Sequence, residues 1–222
     1  MSEINHPVRL AGAEIRSGCH ACAFFHTPEE EYRALLPFAT EGFDRGERVF
    51  QLVDPGQQPE RQRRLAEAGV TEAAARRQGQ LEVRAWEGAY LRGGRFDQHA
   101  MLTLIQEELD AGKQAGFPIT RLWANMEWAL EDLPGVHDIV EYESRLNSVL
   151  PRYHDVVVCS YDLVRFSATI VMDILRTHPW VLIGGLLQEN PFYVPPDKFL
   201  DELRTRRDAA VSGRAAPGPA AS

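Results

Sequence analysis

The chain has 222 residues, 44% of them hydrophobic and 25% charged, with a formal net charge of -8. That length supports a sizeable core without disulfide staples, and the acidic balance excludes the broad basic face that non-specific nucleic-acid binding needs. No apolar stretch reaches the roughly 18 residues of a membrane span. Residues 1–16 are polar and mixed, without the hydrophobic core of a signal peptide. A cytoplasmic protein with reduced thiols and no membrane or direct nucleic-acid partner is therefore expected; its three cysteines are an odd number.

In chain order, a flexible start over 1–14 is expected to lead into a first strand, His20–Phe25, in which His20, Cys22 and Phe24 share a face. Thr27, Pro28 and Glu30 then form a capping-box signature, and Tyr32, Leu35, Leu36, Ala39 and Phe43 recur at helical spacing. Gly42 and Gly46 read as the end of that helix. Val49–Val53 is a second strand stopped by Asp54-Pro55-Gly56. An arginine-rich helix spans 59–77 with a break near Gly69, and 81–86 is a third strand. Asp97 caps a helix running to about Ala115, and 121–126 is a fourth strand. The stretch 136–150 is an amphipathic helix with Ile139, Val140, Leu146 and Val149 inward. A fifth strand, 155–161, a helix, 166–176, and a short sixth strand, Val181–Ile183, follow. Asn190–Pro196 is a proline-rich loop before a last helix, 198–208, and the Ala/Gly/Pro/Ser-rich 209–222 is expected to be disordered. The alternation selects one α/β domain over 15–208, with a mostly parallel sheet flanked by helices on both faces.

Nucleotide chemistry has no motif here. A P-loop needs a glycine-rich turn ending in Gly-Lys-Ser/Thr. Gly112-Lys113 is followed by Gln114, and Glu107 stands where the first glycine belongs. ATP hydrolysis is therefore not expected. Two residue sets remain as site candidates. Open α/β sheets bind ligands at the carboxyl ends of their strands. That edge is expected to carry His26, Asp54, Trp86, Glu127, Trp128, Tyr161 and Asp162, with aromatic walls around a few polar groups as a small-molecule pocket requires. The loops 86–97 and 127–135 would respond to a ligand. His20, Cys22, Cys159 and His178 supply nitrogen and sulfur donors that suit zinc, or iron. Against that, a free cysteine commonly packs as a small hydrophobe, and the strand assignments put Cys159 nearer the opposite sheet edge from His20 and His178. Cys19 and Cys22 have C-x-x-C spacing but precede a strand rather than open a helix. An acid-base role for Glu127 or Asp162 lacks a paired nucleophile.

Cys19–Phe25 with Pro28-Glu29-Glu30 and Leu35-Leu36-Pro37-Phe38 resembles the start of the MEDS family, the methanogen/methylotroph, DcmR sensory domain. Tyr90-Leu91 with 94–97, Met126 with Trp128-Ala129-Leu130, Cys159–Asp162, and His178-Pro179 with 190–193 continue the resemblance in order. It covers nearly the whole expected domain. The resemblance implies a RecA/KaiC-like three-layer sandwich without a working P-loop, sensing small hydrocarbon derivatives. It further implies an output through a kinase or transcription regulator, here acting in trans, with a homo-oligomer as one arrangement. Asn125 stands where relatives place an acid, and Glu127 follows instead.

Overall fold

The computed structural model describes residues 7–15, 18–70 and 79–214. The central sheet has seven strands: β3 (Cys19–Phe25), β4 (Arg48–Val53), β5 (Leu81–Ala85), β6 (Thr120–Asn125), β7 (Val156–Asp162), β8 (Trp180–Ile183) and β9 (Leu186–Glu189). Their order is β5-β4-β6-β7-β3-β8-β9. Every pairing is parallel except β8 with β9. β3, β4 and β6 are buried along their whole length, and β7 for all but Asp162. Sheets covered on both faces bury such strands, which is why they read as near-continuous apolar runs.

Six helices flank the sheet among the described residues: α1 (Pro28–Asp44), α2 (Gln58–Glu67), α3 (Gln98–Gln114), α4 (Ile139–Val149), α5 (Ala168–Thr177) and α6 (Pro196–Arg214). Tyr32, Leu35 and Phe38 of α1 and Leu65 of α2 pack with Ala21, Ala23, Trp123 and Val158 on one face. Met101, Ile105 and Leu109 of α3, with Ile139, Tyr142, Ile174 and Phe199, pack with Cys22, Phe24, Cys159 and Tyr161 on the other. Alternate residues of each strand thus feed separate cores. α1 leaves β3 toward the first face and α5 leaves β7 toward the second. The adjacent carboxyl ends of β3 and β7 therefore form the switch point where an open sheet leaves a crevice.

The strand and helix order agrees with the sequence reading, with several corrections. The expected flexible start contains a hairpin, β1 (Val8–Leu10) paired antiparallel with β2 (Ala13–Ile15). Its Val8, Leu10 and Ile15 are buried under α1. Three-residue strands carry too few alternations to register as a period. β9 was absent from the sequence reading because its pattern is almost wholly exposed; the Gly184-Gly185 turn that ends β8 starts it. α6 continues to Arg214, past the expected boundary at 208. Within 59–77, α2 stops at Glu67 and Gly69 adopts φ +87°, while 71–78 lies outside the described residues.

Gly42 does not end α1. The helix runs through it, and Gly46, at φ +71°, follows the end. A Cβ at Gly42 would lie 2.6 Å from Cδ of Arg121. Arg121 is fully buried, donating to the carbonyl of Phe38 at 2.8 Å and to Glu41 at 3.0 Å, and pairing with Glu47. The guanidinium is pinned at three points, so it cannot swing away from a methyl group. Gly42→Ala is expected to destabilise the fold by about 1–3 kcal/mol, the usual cost of overpacking, despite the better helix propensity of alanine. Thermal unfolding of the variant checks it; an unchanged or raised melting temperature would show that Arg121 is not rigidly held.

Candidate functional site

The crevice at the switch point is small and polar. Phe25, Thr27, Glu31, Asn125, Glu127, Tyr161, Asp162 and Arg165 line a cavity of about 30 Å³. That volume holds about one or two waters, not an organic ligand. Oε1 of Glu127 accepts the Asp162 N–H at 3.0 Å, whereas Oε2 and the Asn125 Oδ1 are buried with no protein partner. Glu31 accepts from Trp123 Nε1 at 2.9 Å and from the Ser160 hydroxyl at 2.6 Å. Burial, reinforced by the nearby Glu31, pushes the Glu127 carboxyl up to about 8.

A larger, mainly apolar pocket of about 480 Å³ opens beside it. It lies where the carboxyl ends of β3 and β8 meet α1, walled by Phe24, Phe25, Ala34 and Ile183, with His26, Glu30 and Arg33 as its polar groups. Ala11 of the β1–β2 turn and Gly184-Gly185 of the β8–β9 turn complete the rim. Its size and lining match a small-molecule site. The junction from β3 into α1 is two residues, His26 and Thr27. Thr27 Oγ1 caps the Glu30 N–H at 3.2 Å, Pro28 has no N–H to offer, and Glu30 takes the His26 N–H at 2.9 Å. With Glu29, Glu30 and Glu31 in the first turn, this helix end is supplied with negative charge from within and is a poor cradle for phosphate.

A third feature lies inside the second core. His20, Glu143, Cys159 and His178 are all buried, and one donor atom from each lies within 4.8 Å of the others. Oε2 of Glu143 is 3.3 Å from Nε2 of His20, 3.3 Å from Nε2 of His178 and 3.8 Å from Sγ of Cys159. Cys159 Sγ is 3.7 Å from His20 Nε2. The Tyr161 hydroxyl donates to the other carboxylate oxygen, Oε1, at 2.8 Å. The partners assign the histidine tautomers. His178 Nδ1 faces the Ile174 carbonyl at 2.8 Å, which can only accept. His20 Nδ1 faces Asn147 Oδ1 at 3.0 Å, and the Asn147 amide nitrogen donates to the carbonyls of Glu143 and Thr177. Burial favours the neutral form of Glu143, but the imidazoles of His178 and His20 beside it outweigh that and hold the group down at about 2. Burial pushes His178 below its ordinary value. Burial and the Glu143 charge together push the Cys159 thiol well up.

Of the expected strand-edge residues, Glu127, Tyr161 and Asp162 share the small crevice, and His26 lines the apolar pocket. Asp54 closes its own turn, accepting from Gly56 N–H at 2.7 Å. Trp86 and Trp128 line neither cavity and are buried in the second core. Trp128 stacks on Tyr90 at 4.5 Å and on Phe96 at 4.4 Å, so the loops expected to respond to a ligand are fastened by aromatic packing. Of the expected donors, His20, Cys159 and His178 come together. Cys22 does not join them; its thiol turns to the Trp180 carbonyl at 3.6 Å. Glu143 takes the fourth place. Its signal was present in the sequence: it sits three residues from both Val140 and Leu146, a charged side chain on the inward stripe of α4.

The MEDS family model, the methanogen/methylotroph, DcmR sensory domain, matches residues 19–179. The chain belongs to this family of sensory domains, and the matched span contains all four clustered donors. A curated relative, the transcriptional repressor DcmR of Methylorubrum extorquens, is 27% identical over 172 residues. The match takes in 77% of this chain and 62% of that protein, so the chain spans less than two thirds of its relative's length. Solved structures confirm the fold. An uncharacterized protein from Pyrococcus horikoshii, crystallised with an unknown peptide, superposes with TM-score 0.60 at 13% identity, covering 77% of this chain and 78% of that one. A KaiC-like protein from the same archaeon superposes with TM-score 0.53 at 15% identity, covering 75% and 70%. The sheet flanked by helices is thus the RecA/KaiC-like sandwich that the resemblance implied. Among the described residues, no helix is long and apolar enough to cross a membrane.

The Glu127 carboxyl sets a pH dependence. It titrates near 8 in the folded chain against an ordinary 4.5, so folding favours its protonated form. Its contribution to stability is complete below about pH 4.5 and is lost as pH rises through 8. The groups facing it are Glu31, Asp162 and Arg165. Glu127→Gln keeps an oxygen for the Asp162 N–H and removes the titration. The variant is expected to melt about as the wild type does at pH 5 and several degrees higher at pH 8.5, at about 2–4 °C per kcal/mol for a chain of this size. A melting-temperature difference that stays flat across that range would refute the assignment.

Proposed function

We propose that this chain is a non-catalytic sensory domain that binds a small, weakly polar organic molecule in the apolar pocket between β3, β8 and α1. One observation carries the reading. A pocket of about 480 Å³ with an apolar wall and few polar groups lies at the strand ends, while the neighbouring crevice has room for water alone. Phe24, Phe25 and Ile183 supply contact area, and His26, Glu30 and Arg33 at the rim orient a polar substituent. Small hydrocarbon derivatives, the ligand class suggested by the methylotroph family, fit that lining. The roles expected for Trp86 and Trp128 pass to Phe24 and Phe25.

The pocket is rimmed by two turns, 11–12 of the separate β1–β2 hairpin and 184–185 of the β8–β9 hairpin at the end of the central sheet. A bound molecule would draw these turns together, and a regulatory partner would read the altered surface. The kinship with a transcriptional repressor supports a regulatory output, with a transcription regulator or kinase as that partner. The two-residue junction before α1 and its acidic first turn weigh against triphosphate chemistry. Glu127 shares its crevice with Glu31 and Asp162, but that space has room for water alone and not for an organic substrate.

Thermal shift with a panel of one- to four-carbon alcohols, amines and haloalkanes tests the proposal. At about 100 times its Kd, a true ligand adds about 2.7 kcal/mol, or roughly 5–10 °C at this chain length. Ala34→Phe, on the helix surface facing the pocket, is expected to abolish the shift while leaving the far-ultraviolet circular dichroism unchanged. No saturable shift from any compound, or an undiminished shift in Ala34→Phe, would count against the pocket.

A further inference from the structure

We propose that His20, Glu143, Cys159 and His178 form a closed, buried, tetrahedral metal centre of the zinc class. This goes beyond the sensory reading and does not rest on it. The apolar pocket could fail every ligand test and the centre would stand, and the reverse holds equally.

The first argument is geometric. Zinc binds nitrogen and oxygen at about 2.0–2.1 Å and thiolate sulfur at about 2.3 Å in a tetrahedron. Those lengths place neighbouring nitrogen and oxygen donors about 3.3–3.4 Å apart, and sulfur about 3.6 Å from either. The two Glu143–histidine separations are 3.3 Å. The two to Cys159 are 3.7 and 3.8 Å. The remaining pairs lie within 4.8 Å, so a small inward shift of side chains completes the shell.

The second argument is the protonation of the imidazoles. Both histidines spend their Nδ1 protons on fixed oxygens, Asn147 Oδ1 and the Ile174 carbonyl. In the neutral imidazoles both Nε2 atoms are therefore acceptors, and each lies 3.3 Å from Glu143 Oε2, which is itself an acceptor. His178 Nε2 has no hydrogen-bond partner. Neighbouring acceptors repel unless a proton or a metal ion stands between them, and burial disfavours the extra proton on His178. Histidine ligands held by an outer oxygen, and a carboxylate held by an outer hydroxyl, here Tyr161, are the usual support of a metal centre.

The third argument is charge. Two neutral imidazoles, one carboxylate and one thiolate carry a formal charge of minus two. A divalent ion cancels it within a fully buried site, where an uncompensated charge is costly. On binding, the Cys159 proton leaves to solvent as its sulfur takes the metal. Nitrogen and sulfur donors exclude magnesium and calcium, which take oxygen. Four protein ligands leave no open position, which marks a structural rather than a catalytic ion. The ion would join β3, α4, β7 and the end of α5.

The test uses the full chain with any affinity tag removed. Elemental analysis is expected to find close to one zinc per chain. After unfolding in chelator and refolding with cobalt(II), the protein is expected to show tetrahedral ligand-field bands and a thiolate-to-cobalt charge-transfer band. The double variant Cys19→Ser/Cys22→Ser keeps Cys159 as its sole thiol, so retention of the charge-transfer band assigns the sulfur without disturbing the centre. Cys159→Ser is expected to lose the band, and Asn147→Ala to weaken zinc binding about 10–100-fold. Metal-free protein that also gives no tetrahedral cobalt spectrum at one equivalent would overturn the proposal. So would loss of the charge-transfer band in the double variant while that variant remains folded.

Discussion

A single carboxylate in an apolar core organises this molecule. Glu143 is fully buried, yet it is held ionised by hydrogen-bonding groups gathered from neighbouring elements. His20 comes from β3, Tyr161 and Cys159 from β7, and His178 from the residue after α5, while α4 carries the carboxylate itself. Removing one partner of a buried charged group leaves the remainder uncompensated, and that penalty exceeds the net stabilisation the pairing contributed. The cluster therefore acts as a condition on packing. Helices α4 and α5 can sit on this face in the one registry that brings all the donors to Glu143. Asn147, one turn further along α4, reinforces that registry by bonding both His20 and the Thr177 carbonyl.

The layers were legible because doubly buried parallel strands leave an unmistakable trace. Val156-Val157-Val158-Cys159 is apolar at every step and Val49–Val53 at all but Gln51, and the start of α1 announces itself through Thr27, Pro28 and Glu30. The edge hairpins left none, because β1, β2 and β9 are short and β9 is mostly exposed. The site was half legible. Three of four clustered donors could be named from residue type, whereas the choice between Cys22 and Glu143 depends on side-chain direction. Cys22 and Cys159 lie directly opposite in register on β3 and β7, but the Cys22 thiol turns to the β8 carbonyl of Trp180. Trp86 and Trp128 misled for a different reason. Residues at the carboxyl ends of strands line a crevice only if the following loop stands clear, and here 86–97 folds down to cover them with Tyr90 and Phe96.

Within the RecA/KaiC-like layout, the junction between β3 and α1 sets the chemistry at the strand ends. The connection entering α1 is too short to wrap a phosphate chain, and carboxylates occupy the positive end of that helix. The space beside it is lined by aromatic and aliphatic groups instead. Two hairpins, the separate β1–β2 under α1 and β8–β9 past β3, bring their turns to the rim of that space. Fold alone decides none of this; a few residues at one junction and two short hairpins do.

The pocket and the buried cluster share a wall. Phe24 lines the pocket, its ring lies 5.7 Å from that of Tyr161, and the Tyr161 hydroxyl bonds Glu143. Tyr161 also meets Phe166 edge-on at 5.3 Å, at the approach to α5. Packed interiors do not deform smoothly, and Tyr161 is fixed at its ring and at its hydroxyl. On the Phe24 side the pocket therefore has a rigid wall. The glycine turn at 184–185, with both φ values positive, forms part of its rim. The rim runs on into the β8–β9 edge, where Ile183 and Leu186 are exposed, so the pocket lies between the packed core that holds the charge and an apolar surface.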